Sequence, residues 1–128
     1  MQVTTYPNGV RQSNNYQSIT GNLTLTEDDH GKIIYCSAAD LVVTLPTATT
    51  ERQGIYYTII TGSLSTGTGT SVAVGSTSDA IIYTTTTANV SLINTGATDA
   101  LNDMVTVVCT GANRWNVVNV KGTWAKSS

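Results

Sequence analysis

A single histidine, His30, stands in "TEDDHGK" beside Glu27, Asp28 and Asp29. An imidazole next to three carboxylates has the makings of a metal or acid–base site. Zinc, however, takes three or four ligands, and the chain has no second histidine. The EF-hand calcium spacing is absent too. The stretch is therefore expected to be a polar turn leading into "KIIYC". Gly62 and Gly67 stand at P-loop spacing, but Thr68 occupies the place where the phosphates need a lysine. A Ser–His–Asp arrangement would have to use His30, and no nucleophile-elbow context accompanies it. The other acids, Asp40, Glu51, Asp79, Asp99 and Asp103, are scattered through loop-like contexts. No catalysis, metal or cofactor is expected.

The aromatic residues are the second set with chemical potential. They are Tyr6, Tyr16, Tyr35, Tyr56, Tyr57, Tyr83, Trp115 and Trp124, in a chain without phenylalanine. A platform for sugar needs exposed ring faces with polar groups beside them. Tyr56 and Tyr57 are adjacent, so on a strand they point to opposite faces and only one belongs in a core. Most of the rings are expected in the core or between subunits. Trp115 and Trp124 flank "NVVNVKGT", in a stretch that reads as strand, tight turn, strand from Met104 to Val120. They are expected as lids on the core or as interface aromatics.

The elements that must position these residues are strands. Threonine supplies close to a fifth of the chain, and charged residues only 11%. The usual charged share is about 25%. Threonine is β-branched and fits a pleated, half-wet surface. A net charge of −2 leaves no basic footprint for nucleic acid or anionic lipid. No apolar run approaches eighteen residues, so no membrane span is expected, and "MQVTTYPNGV" has no apolar core of a signal peptide. Cys36 and Cys109 fall in strand-like runs. They are read as buried free thiols, with a bridge between neighbouring strands as the alternative. Asn22-Leu-Thr24 and Asn89-Val-Ser91 match the glycosylation pattern by chance.

From Asn22 onward the apolar period is two. Leu23 and Leu25, "KIIYC", Leu41–Leu45, Ile55–Ile59, Val72–Val74, Ile81–Tyr83, Val90–Leu92, Met104–Cys109 and Arg114–Val120 give about nine short strands. "TATTERQG" and "GATDALNDM" could each make one helical turn. "TGSLSTGTGTS" reads as a flexible loop. Residues 1–21 lack sustained periodicity and read as an extended arm turning at Pro7, Asn8 and Gly9. The expected architecture is all-β: an arm at 1–21, then one β-sandwich or jelly-roll-like domain at 22–128.

"NLTLTEDDHGKIIYCSAADLVVTLPTA" resembles the start of a small β-module found in virion proteins of tailed phages. The shared marks are the turn at Leu25–Gly31, "VTLPTA" at Val43–Ala48, then Gly54, Tyr57 and Thr61. A thin strand at Val72–Val74 and a closing hairpin from Val107 to Trp124 complete them. The resemblance covers roughly residues 22–124, and "TTYPNGV" is similar to N-terminal segments of small phage head proteins. It implies a structural virion protein: a capsid decoration protein binding the major capsid protein on the outer surface of the head, made in the host cytoplasm. Such proteins are often homotrimers. The arm residues Tyr6, Pro7, Asn8, Gly9, Val10 and Tyr16 are then the expected capsid or inter-subunit contacts. The alternative is a fibre or adhesion module that recognises a host-surface glycan. Such a module would call for a long β-helical or coiled-coil shaft, which this sequence does not contain.

Overall fold

Alternation of apolar and polar residues places every second side chain on one face of a strand, and here two such faces meet. A computed structural model of the chain describes residues 15–83 and 86–127. Its strands are β1 (Tyr16–Ile19), β2 (Leu23–Thr24), β3 (Ile33–Cys36), β4 (Val42–Thr44), β5 (Tyr56–Thr61) and β6 (Ser71–Ala73). After them come β7 (Ala80–Ile82), β8 (Leu92–Asn94), β9 (Met104–Gly111), β10 (Arg114–Lys121) and β11 (Trp124–Lys126). One sheet has the order β1-β3-β5-β9-β10-β7 and the other β11-β8-β6-β4-β2.

The first six strands pass back and forth between the two sheets. Neighbours within a sheet run parallel there: β1 with β3, β3 with β5, β2 with β4, and β4 with β6. Parallel neighbours need a long crossover. In this fold the opposite sheet's strand supplies it, so the chain coils around its own core. The β9–β10 hairpin and β8–β11 then close the sheets with antiparallel pairs. The result is the expected all-β sandwich. It is not a jelly roll, whose sheets are antiparallel Greek keys.

Nine strands lie at or beside the expected places, the expected Val90–Leu92 shifting to Leu92–Asn94, and β1 and β11 add to them. β1 lies in the segment read as arm and docks at the sheet edge with Ile19 in the core. Only one of its four side chains is buried, too few for a visible period. Among the described residues, the two short helical elements are 3-10 turns at Glu27–Asp29 and Thr50–Arg52. The "GATDALNDM" stretch forms turns instead of a helix.

Cross-strand register builds the core in rows. Ile34, Ile59, Val105 and Val120 stand side by side on the inner face of the larger sheet, as do Tyr57, Val107 and Val117. Cys109, Trp115 and Ile81 form a third row. From the other sheet Val43, Val72 and Leu92 pack against them. Cys36 and Cys109 are free and buried. Burial pushes the Cys36 thiol up to about 12, so it is not a nucleophile near neutral pH.

The Gly/Thr/Ser loop after β5 is more ordered than its composition implies. Asp40, at a φ of 60°, accepts hydrogen bonds from Ser65 Oγ (2.7 Å), Thr66 Oγ1 (2.9 Å) and the amides of Thr66 (3.2 Å) and Gly69 (2.8 Å). Asp99 takes the Ser65 amide at 2.8 Å. The Ser65 hydroxyl is the largest influence holding the Asp40 carboxyl down at about 2, with the amides and Thr66 adding to it. Because the folded value lies below the unfolded one near 4, this tether is complete above about pH 4 and is lost as pH falls toward 2. The Thr66 and Gly69 amide resonances are therefore expected to titrate with a midpoint of about 2. Asp40→Asn should abolish the transition. A midpoint near the ordinary carboxylate value would show that the tether does not form.

Candidate interaction face

The outer face of the larger sheet follows from the same register. One row is Tyr16, Ile33, Thr58, Thr106 and Asn119. The next is Ser18, Tyr35, Ile60, Met104 and Lys121. A third runs Tyr56, Val108, Asn116 and Ile82. Tyr16 is 50% exposed, Tyr56 43% and Ile33 38%, so large apolar side chains here meet solvent. At the bulge in β10, Val118 is exposed as an extra residue.

No charged residue stands in these rows on β1, β3, β5 or β9; Lys121 lies on β10. Thr58 and Thr106 share a hydrogen bond of 2.9 Å between their hydroxyls. Each therefore already has a partner if water leaves. Tyr35 lies across Gly62, where an added Cβ would be 2.5 Å from its Cε2 and Cζ. Any side chain at Gly62 would lift that ring off the sheet.

The residues with chemical potential have structural partners. The Asp29 carboxylate caps Thr26 N–H at 2.9 Å and pairs with Lys32 Nζ at 2.8 Å. Burial disfavours its charge, but Lys32 and the Thr26 amide outweigh that and hold it below the usual carboxylate range. Glu27 accepts from Arg52 Nε at 2.6 Å. His30 Nδ1 accepts from the Tyr56 amide at 3.3 Å, and its ring meets the Tyr56 ring edge-on. These groups brace a 3-10 turn against β5. Among the described residues, no three His, Cys, Asp or Glu side chains gather as metal ligands. Among those residues, too, no helix is long and apolar enough to cross a membrane.

Trp115 is fully buried and Trp124 nearly so, which places both in the chain's own core. Trp115 Nε1 donates to Pro46 O at 3.2 Å, and Trp124 Nε1 to Lys121 O at 2.9 Å. Their rings and donors are thus occupied within the chain. Tyr57 is the core member of its pair and Tyr56 the exposed one. Of the expected arm contacts, Tyr16 sits at the edge of the outer face, while Tyr6, Pro7, Asn8, Gly9 and Val10 lie outside the described residues. The rest of the face, including Ile33, Ile60 and Met104, was not singled out from the sequence. Its signal was the apolar character of the strand positions opposite the core.

Fold and face together define a two-sheet β module with one sheet surface that is partly apolar and uncharged over its β1–β9 part. No protein-family model matches the chain, and no curated protein matches it.

Proposed function

We propose that this chain is a structural virion protein of a tailed phage that decorates the outer surface of the head by binding the major capsid protein. The observation that carries the reading is the order of the motifs from residue 22 to residue 124, in a chain that folds as an all-β sandwich. The scarcity of charge adds support, because an unchanging lattice is bound by close packing more than by steering. A trimer on the shell would engage several sites at once, and the combined attachment would exceed any single contact in strength. The arm residues Tyr6, Pro7, Asn8, Gly9, Val10 and Tyr16 supply the shell contacts in this reading.

Two measurements test it. Mass spectrometry and electron microscopy of purified particles should find the chain on the head surface. A truncation lacking residues 2–14 keeps β1 and should stay folded while occupancy on undecorated capsids falls sharply. Full occupancy by the truncated protein would remove the arm from the reading. Light scattering should give the mass of three copies, and a monomer at micromolar concentration would refute the trimer.

A further inference from the structure

We propose that the outer face of the six-stranded sheet binds a neutral polysaccharide. Three tyrosines, Tyr16, Tyr35 and Tyr56, stand on the adjacent strands β1, β3 and β5 and share that face. Tyr35 is laid across Gly62, and the hydroxyl end of Tyr56 lies over Gly31. Tyr16 and Tyr56 are each about half exposed, which leaves ring surface open on this face for the C–H face of a sugar to stack on. Thr58 and Thr106 stand among them with hydroxyls that can still accept or donate to sugar hydroxyls.

Charge and size select this occupant. The β1–β9 part of the face carries no charge in its rows, and Lys121 at the end of one row on β10 is the one cation in them, so the face holds little to attract an anionic polymer or a lipid headgroup. A second copy of the chain is electrically acceptable but poorly matched in area. Four strands about 4.8 Å apart and three rows about 7 Å apart span on the order of 300 Å². A stable protein pair needs roughly 800 Å² from each partner. A polysaccharide needs only a strip a few sugars long and is itself neutral, with apolar ring faces and hydroxyl edges. The face needs no free arm, so a module attached to a shell by its arm could still present it.

Binding of the full chain to insoluble cellulose and chitin, and to soluble xylan, mannan and β-1,3-glucan, tests the proposal by depletion and calorimetry. At least one should bind. The affinity should survive ionic strength of about 1 M, where charges are screened within about 3 Å. Tyr16→Ala and Tyr56→Ala remove exposed rings, so both variants should fold, and each should weaken binding by about 2- to 12-fold. Capsid occupancy of Tyr56→Ala alone, measured in parallel, separates this proposal from the decoration reading, because Tyr56 stands on β5, outside the arm that makes the shell contacts. No binding to any of these glycans overturns the proposal, as does unchanged binding by the double variant. A double variant that instead turns an oligomer into a monomer would assign the face to a second copy and overturn it equally.

Discussion

Trp115→Ala is expected to lower unfolding stability by about 3–5 kcal/mol in urea titrations, close to the whole stability of a marginal domain. The ring is fully buried in the row with Cys109 and Ile81, and its centroid is 5.7 Å from that of Tyr57. Alanine would leave a cavity between the sheets that strands on both sides hold open. Its Nε1–H also satisfies Pro46 O, so the truncation orphans a buried carbonyl. Trp115→Phe separates the two contributions. It keeps most of the ring and should cost clearly less than alanine. If alanine costs under about 1 kcal/mol, the indole does not fill the core as described.

Asn94→Leu is the second large effect, expected at about 3 kcal/mol or more although the branched heavy-atom shape is kept, because polar partners are lost and the bulkier methyls overpack the site. Asn94 ties the two sheets together through polar groups. Thr61 Oγ1 on β5 donates to its Oδ1 at 2.8 Å. Its Nδ2 donates to Asp103 Oδ2 and to Thr123 O, both at 3.1 Å. Asp103 Oδ2 also accepts the Ala100 amide at 2.9 Å. Leucine strands the Thr61 hydroxyl and removes one bond from a buried carboxylate, each costing roughly 1–3 kcal/mol, while Thr123 O keeps its bond from the Thr95 amide at 3.0 Å. Gly122 closes the same cluster at a φ of 92°, and a Cβ there would strike the Asp103 carboxylate. Gly122→Ala should therefore destabilise in the same direction. An Asn94→Leu protein as stable as the parent in urea would show that the network contributes nothing to holding the sheets.

Strand positions were legible because alternation is local: Ile34 and Cys36, or Val105, Val107 and Cys109, announce a buried face without reference to any partner. The same parity showed that only one of Tyr56 and Tyr57 could be core, and the structure makes it Tyr57. The turn at "EDDHG" was legible too, since carboxylates and glycine in sequence leave no apolar face to bury. β1 was not legible. Ile19 is its one buried side chain, and what orders it is the ladder to β3, which lies beyond a turn and a strand of the other sheet. The polar ties gave no signal either. Asp40, Asn94 and Asp103 look like ordinary loop and strand-end residues until the chain closes donors around them. The tryptophans illustrate the limit most clearly. Their size marked them for burial, but whether against the chain itself or against a partner depends on where Pro46 and Lys121 come to lie. By itself, then, the sequence determined the β class, nearly all the strands and the inward side of each. Tertiary structure alone decided the parallel coil, the strand order and the neutral tyrosine face, because cross-strand register joins residues far apart in the chain and no local pattern encodes which strand will be the neighbour.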